Sequence, residues 1–245
     1  MPRTTVRCEW TGGLQRFYMS DTFETVNVHA AGKFIDDFCG TATLVDGSTE
    51  WSSVIVGAGT VTRVADGENG QVSLLSTAAA AANDAVLYWG NEHAINVKDG
   101  AIIEMRVRPL VLPATNAAIV FGVAGDHDLD KDTITEGAWF KLDGATTGSL
   151  LVCETDDTIN NNDDVTTGVT VATGTWYVCR IDTTNINDVK FYVNGVSVGG
   201  GTTFDMSNLS DAAGTMQPYM SVDKPADGSV GTLLVDYFKA WWNRA

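Results

Sequence analysis

The stretch 174–199, GTWYVCRIDTTNINDVKFYVNGVSVG, constrains the fold of this chain more than any other part of its sequence. In 175–181 and again in 189–193, apolar residues recur at every second position. This period of two is the period of a β-strand. Asn194-Gly195 then connects to 196–198. Asn-Gly favours a two-residue hairpin because a type I′ turn needs positive φ at both positions. The stretch therefore predicts three consecutive antiparallel strands.

Short strand patterns of the same kind continue along the rest of the chain. Turn pairs such as Asp66-Gly67 and Asn69-Gly70 separate them. The predicted strands are 51–56, 60–65, 71–76, 85–89, 101–108, 117–123, 138–142, 150–154, 169–172, 217–222 and 232–242. The alanine run 78–82 and the loop 202–211 could each form a short helical turn. Many short strands without a long helix predict a β-sandwich.

Three motifs resemble a known family. WYVCRI with the KFYVNG hairpin, within 176–195, resembles the concanavalin A-like lectin/glucanase and laminin-G jelly rolls, and VDYFKAWW at 235–242 resembles their closing strand. FIDDF at 34–38, followed by Trp51, resembles the opening strands of versions found in tailed-bacteriophage virion proteins. The resemblance covers about 33–244. It implies an all-β, two-sheet antiparallel jelly-roll β-sandwich, and it bears on fold more than on function because function depends on sites.

Residues 1–32 fit the jelly-roll pattern poorly, so we expect a short N-terminal arm before a concanavalin A-like domain of residues 33–245. The arm has a basic bias, since four of the seven charged residues up to Lys33 are Arg or Lys. The alternative is an extra pair of edge strands, at 16–19 and 25–29. An ordered arm would dock on its own domain or on a neighbour, because chain termini are ordered only where contacts hold them.

The net charge of −16 argues against a surface for nucleic acid or an anionic membrane, since both need clustered Lys and Arg. The N-terminal residues MPRTTVRCEW lack the apolar region of a signal peptide, and no apolar run approaches the length of a membrane span. We therefore expect a protein that is made in the cytoplasm and is not secreted by a signal peptide. The four cysteines have no CxxC spacing and are expected to be reduced thiols.

The segment 126–132, DHDLDKD, resembles a calcium loop, in which hard carboxylate oxygens surround one cation. The predicted ligands of a Ca²⁺ ion are Asp126, Asp128, Asp130 and Asp132. The EF-hand pattern itself fails, because Lys131 and Gly137 stand where Gly and Glu are needed. A second acidic loop, 154–164, should lie at the same end of the sheet, since alternate connections of an antiparallel meander share an end. The alternative to a cation site is a hydrated acidic rim.

No catalytic constellation is visible in the sequence. Glycosidases need two carboxylates at a fixed separation, and the E-x-D-x-x-E strand motif of the glucanase branch is absent. Glu104 has Ile102 and Arg106 as its same-face neighbours. The three histidines lack zinc-ligand spacing, and no nucleophile elbow, P-loop or dinucleotide fingerprint occurs. These absences predict that the chain is not an enzyme.

The tryptophans contain the best candidate for sugar binding, WGNEH at 89–93, where an indole lies beside amides and a carboxylate near a turn. Trp51, Trp139 and Trp176 lie in strand patterns and are predicted to be in the core. Trp241 and Trp242 are adjacent on a strand, so they should point to opposite faces. One should join the core, and the other should lie outside.

The motifs and the resemblance lead to one main interpretation and two alternatives. The main one is a structural protein of a tailed-phage virion, a capsid decoration or stabilising protein on the head surface. Its partners would be capsid proteins and further copies of itself in a homo-oligomer. The first alternative is a carbohydrate-binding, lectin-like module whose partner is a glycan. The second is a glucanase-type hydrolase.

Overall fold

The computed structural model describes residues 6–11, 14–19, 25–26, 32–40, 44–45, 49–78, 81–128 and 130–242. Apart from a short 3-10 helix, Lys131–Thr133, the regular structure of these residues is entirely β. The strands are β1 (Val6–Thr11), β2 (Leu14–Met19), β3 (Thr25–Val26), β4 (Gly32–Asp36), β5 (Ser52–Val56), β6 (Thr60–Arg63), β7 (Val72–Ser76), β8 (Asn83–Tyr88), β9 (Ile95–Asn96), β10 (Ala101–Val111), β11 (Ala118–Ala124), β12 (Glu136–Asp143), β13 (Leu150–Asp157), β14 (Asn161–Thr170), β15 (Tyr177–Asp182), β16 (Lys190–Val193), β17 (Val196–Val198), β18 (Thr215–Lys224) and β19 (Gly231–Trp242). No helix in these ranges is long and apolar enough to cross a membrane.

Two large antiparallel sheets form the body of the molecule. The first sheet has the order β17-β16-β15-β10-β19-β7-β6, with β4 also paired to β19. The second sheet has the order β14-β13-β12-β11-β18-β8-β5, with β9 also paired to β18. Buried apolar residues from the two sheets form one core between them. The predicted all-β, two-sheet antiparallel sandwich is confirmed.

Alternation along the strands sends one side of each strand into this core. On β10, Ile103, Met105 and Val107 are buried, while the residues between them face outwards. Removing such side chains from water is the main stabilising contribution, about 25 cal/mol per Å² of apolar surface. Cys153 and Cys179 are buried free thiols, and burial raises the pKa of both.

The hairpin predicted from Asn194-Gly195 is present. Both residues have positive φ, 50° and 79°, and Val193 lies opposite Val196 across the turn. The Asn194 side chain also accepts a hydrogen bond from the Val178 N–H at 2.9 Å, which ties the turn to β15. The local signal was sufficient because glycine and asparagine tolerate this backbone conformation.

The second predicted acidic loop is a hairpin instead. β13 continues to Asp157 and β14 begins at Asn161, so the connection is only 158–160. Asp157 turns the chain by accepting the N–H groups of Ile159 and Asn160. The polar composition suggested a loop, but β14 is an edge strand, whose solvent-facing side does not need apolar residues. This turn does share an end of the sheet with the segment after β11, since the Thr158 N–H donates to the Thr135 carbonyl.

The N-terminal residues form a sheet of their own, in the order β1-β2-β3. β2 and β3 correspond to the short strands that were predicted at 16–19 and 25–29. The division into an arm of residues 1–32 and a domain of residues 33–245 stays a prediction, and much of that arm lies outside the described residues. Part of the alanine run 78–82 also lies outside them, and its described residues are not helical.

Candidate functional site

A pocket of about 350 Å³ opens at the side of the sandwich, where the ends of the two sheets meet. β4 and the end of β19 contribute from the first sheet, and the connection after β8 contributes from the second. The lining residues are Lys33, Phe34, Glu50, Trp89, Glu92, Ala94 and Trp242. The pocket thus combines three aromatic side chains with two carboxylates and one ammonium group.

The aromatic wall of the pocket is held by the core behind it. The Phe34 ring meets the Trp89 ring edge to face, with centroids 4.7 Å apart, and meets the Trp51 ring at 5.9 Å. The Trp51 indole donates to Asp36 at 2.6 Å. Trp242 lies against Gly32, where a Cβ atom would come within 2.3 Å of the indole. These contacts place the wall before any ligand arrives.

The polar groups of the pocket are available for a ligand. Glu50, Glu92 and Lys33 are exposed at its rim. The Trp89 indole N–H is buried and has no hydrogen-bond partner within the described part of the chain. A buried polar group normally has a partner, so this N–H is a donor that a ligand or a water molecule can satisfy.

Gln217 of β18 holds the turn that carries Trp89 and Glu92. Its side-chain oxygen accepts the N–H groups of Trp89 and Asn91, at 3.1 and 3.0 Å. Its nitrogen donates to the Asn91 side chain at 3.0 Å and to the Gly125 carbonyl at 2.8 Å. Gln217 is fully buried, and the turn needs this support because Asn91 has a φ of +67°.

The structure separates the residues of the predicted sugar-binding segment. Trp89 and Glu92 line the pocket. Asn91 bonds instead to Gln217 and accepts the His127 N–H, and His93 lies 3.3 Å from Asp126. Sequence reasoning missed the supporting role of Gln217 and the lining residues outside 89–93, because they are distant in the chain and no local motif connects them.

The remaining tryptophan predictions are partly confirmed. Trp51 is buried in the core, as predicted. Trp242 packs against the core and Trp241 lies on the opposite, outer face, as predicted. Trp139 is buried in a smaller cluster on the outer face of the second sheet. The prediction for Trp176 is wrong, because it is half-exposed on the outer face of the first sheet, where Arg106 contacts its ring.

The four predicted calcium ligands make separate local contacts. Asp128 and Asp130 accept backbone N–H groups two residues further on, at 3.0 and 3.1 Å. Asp132 lies 3.9 Å from Lys131, and Asp126 faces His93. No group of three His, Cys, Asp or Glu side chains among the described residues is arranged to hold a metal ion. Calcium binding therefore stays a prediction from the sequence.

Charged residues also meet on the outer face of the second sheet. Asp84 on β8 lies directly opposite Asp223 on β18, and Lys131 is 3.5 Å from Asp223. Burial raises the pKa of Asp223 to about 6, against the opposing effect of Lys131. Burial also raises the pKa of Asp84. No local pattern predicts this carboxylate pair, because its members are far apart in the chain.

A similar network lies further along that face. Glu154 accepts the Trp139 indole N–H at 2.7 Å and forms an ion pair with Lys141. Lys141 also pairs with Asp164 at 2.9 Å. Each charge has a partner here, as buried charges require, so the network needs no ligand to satisfy it.

No protein-family model matches the sequence, and a search of curated proteins finds no match. Solved structures do match. The carbohydrate recognition domain of Emp47p has a TM-score of 0.57 at 12% identity, covering 86% of this chain and 95% of that one. An endo-1,3-beta-glucanase from Streptomyces sioyaensis has a TM-score of 0.58 at 12% identity, covering 90% of this chain and 100% of the other.

The fold is a concanavalin A-like jelly roll. A carbohydrate esterase of a Shiga toxin-encoding bacteriophage is similar as well, with a TM-score of 0.50 at 16% identity, covering 79% of this chain and 90% of that one. Sequence identities this low show the fold alone, so the function of this chain has to be argued from its site.

Replacing Gln217 with Leu should destabilise the protein by about 3 kcal/mol or more, because it leaves several buried backbone groups without partners. Urea denaturation measures this loss. Gln71→Leu is the matched control. Gln71 is also buried, but its side chain makes weaker contacts, a 3.1 Å hydrogen bond to the Glu68 carbonyl and a 3.4 Å hydrogen bond from Arg108. An equal loss in both variants would contradict the special role of Gln217.

Stability should also depend on Asp223. Since burial raises its pKa to about 6, the folded state binds more protons than the unfolded state from about pH 4 to about pH 6. The free energy of unfolding should therefore fall as pH rises through this window. Asp223→Asn should weaken that fall, measured by urea denaturation at about pH 4 and about pH 7.

The matched control for Asp223 is Asp211→Asn. Asp211 is exposed, and its hydrogen bond from Lys98 lowers its pKa, so its removal cannot weaken the fall. A pH dependence that is the same in Asp223→Asn and in the parent protein would show that Asp223 titrates as an ordinary carboxylate.

Proposed function

We propose that the chain binds carbohydrate, and that the pocket lined by Phe34, Trp89 and Trp242 is its binding site. The observation that carries the proposal is the combination of a preformed aromatic wall, an unpartnered indole N–H and two exposed carboxylates in one concavity. Ligand pockets are typically apolar with a few placed polar groups, and about 350 Å³ lies within their usual size range.

Each part of the pocket suits one part of a sugar. The C–H face of a pyranose ring is apolar and can lie against an indole or phenyl ring. Its hydroxyl groups are donors that the Glu50 and Glu92 carboxylates can accept, since an ionised carboxylate has two acceptor oxygens. The Trp89 N–H can donate to a ring or hydroxyl oxygen. Because the rim carries two carboxylates, we expect a neutral sugar in this pocket.

The similar structures support this class of ligand. One is a carbohydrate recognition domain, one is a glucanase and one is a carbohydrate esterase. They share only the fold with this chain, so the proposal rests first on the pocket. Recognition without hydrolysis agrees with the missing strand motif of the glucanases.

The capsid interpretation is a second candidate. The phage-like opening strands support it, and one similar structure comes from a bacteriophage. A decoration protein on the head surface could carry the glycan site, so the two proposals are compatible. Capsid proteins and further copies of the chain would then be its partners, and co-purification with intact particles would test this role.

A variant with Glu92→Gln should bind its neutral glycan at least about tenfold more weakly, because a hydrogen bond to a charged group contributes about 1.5–3 kcal/mol. A glycan array of neutral oligosaccharides identifies the ligand, and isothermal titration then measures the affinity. Binding should also change the tryptophan fluorescence, since two indoles line the pocket.

Glu68→Gln is the matched control for this experiment, because Glu68 is an exposed carboxylate in the turn between β6 and β7, outside the pocket. It should leave the affinity unchanged. If no neutral glycan on the array binds, or if both variants lose affinity equally, the pocket is not a carbohydrate site.

A further inference from the structure

The outer face of the first sheet carries a set of stacked cations and aromatic rings, here called the cationic face. Its residues are Glu104, Arg106, Arg108, Trp176, Arg180, Tyr192, Asp236, Tyr237 and Lys239, none of which lines the pocket. They come from the neighbouring strands β16, β15, β10 and β19, apart from Trp176, which immediately precedes β15. The set is unusual in a chain whose net charge is −16.

The cations lie over aromatic rings. The guanidinium carbons of Arg106 and Arg108 are both 4.5 Å from the centre of the Trp176 ring. Arg180 lies 4.1 Å from the centre of the Tyr192 ring. The Lys239 ammonium lies 3.8 Å from the centre of the Tyr237 ring. Stacking of this kind holds each charge in place on the sheet while leaving N–H donors at the edge of each guanidinium.

Positive charge exceeds negative charge among these residues. Arg106 is paired with Asp236 at 2.7 Å. In the described part of the chain, no carboxylate lies within salt-bridge distance of the other three cations, Arg108, Arg180 and Lys239. Arg108 donates instead to the neutral Gln71 side chain, at 3.4 Å.

One carboxylate lies in the middle of the face. Glu104 is directly opposite Arg180 on one side and Lys239 on the other, and it accepts the Tyr237 hydroxyl at 2.8 Å. Arg180 and Lys239 are therefore two strand spacings apart, roughly 10 Å. The surface thus presents cations at intervals, with hydrogen-bond acceptors and a hydroxyl between them.

We propose that the cationic face binds an acidic polysaccharide. Its carboxylate or sulfate groups would lie on Arg108, Arg180 and Lys239, since a guanidinium fork matches two oxygens of an oxyanion. Its neutral hydroxyl groups would donate to Glu104. This is a second binding surface, separate from the pocket for a neutral sugar, and it does not depend on that pocket.

The alternating charges favour a polysaccharide over a nucleic acid. Duplex DNA carries one charge per about 1.7 Å of its axis, so it needs an unbroken positive surface. Glu104 and Asp236 interrupt such a surface here. An acidic polysaccharide has hydroxyl groups between more widely spaced charges, and these hydroxyls can use the Glu104 carboxylate as an acceptor.

Alginate oligosaccharides are the probe for this surface, with neutral dextran oligosaccharides and a single-stranded DNA oligonucleotide as comparisons. We expect the full chain to bind alginate more tightly than either, with an affinity that falls as salt rises. Arg108→Gln and Arg180→Gln should each weaken alginate binding about tenfold, because each removes a charge-assisted contact. Isothermal titration measures these affinities.

The matched control is Lys98→Gln, which removes one charge from a lysine that is paired with Asp211 away from this face. It should leave alginate binding within about twofold of the parent. Lys239→Gln provides a third test if an arginine variant proves to be unfolded by circular dichroism. Glu92→Gln should retain alginate binding, so that failure of the pocket proposal and failure of this one can be distinguished.

Three results would overturn the proposal. The first is an absence of alginate binding by the parent protein. The second is tighter binding of the DNA oligonucleotide with the same dependence on Arg108 and Arg180, which would assign the face to nucleic acid. The third is a loss of alginate affinity in Lys98→Gln that equals the loss in the arginine variants, which would show that only the total charge of the chain matters.

Discussion

The pairing register of β10 and β19 is the constraint on which both faces of the first sheet depend. Side chains on a strand point to opposite sides in turn, so a slip of one residue would exchange the core residues for the charged ones. The pairing of β10 with β19 has two irregularities, and at one of them Arg106 is opposite Tyr237 but Val107 is opposite Val235. The extra residue is Asp236, and the bulge brings its carboxylate to Arg106. The register thus determines both the packing and the charge pairs.

The pocket depends on a different kind of constraint, the meeting of two sheets at their ends. The strands alone would leave Trp89 on a free turn after β8. Gln217 prevents this because its amide bonds to the turn and to the segment after β11 at once. A single buried side chain therefore sets the position of Trp89 in the aromatic wall, and a ligand would not have to order the turn on binding.

Charged side chains are held in different ways on the two outer faces of the sandwich. On the second sheet, Lys141, Glu154 and Asp164 satisfy one another, and Lys141 and Glu154 are largely withdrawn from water. On the first sheet, Arg108 and Arg180 are held by aromatic rings rather than by carboxylates. Charges that are paired inside a fold are satisfied there. Among the described residues, no carboxylate lies within salt-bridge distance of Arg108 or Arg180, so their charges are available to another molecule. This difference favours the outer face of the first sheet as an interaction surface.

The sequence by itself determined the local features of this protein. Alternation located most strands, Asn194-Gly195 specified the hairpin, and the adjacent Trp241 and Trp242 had to separate to two faces, because these features depend on the geometry of neighbouring residues. The sequence patterns wrongly predicted a loop at 155–164, where pairing with β13 overrides the turn-forming composition. They also wrongly predicted that Trp176 lies in the core, because its place on the outer face depends on Arg106 and Arg108. Only the tertiary structure decided that Trp89 meets Gln217, that Asp84 is opposite Asp223 and that Glu50 and Trp242 line one pocket. Those contacts follow from the order of strands in the sheets, and strand order brings together residues that no local pattern connects.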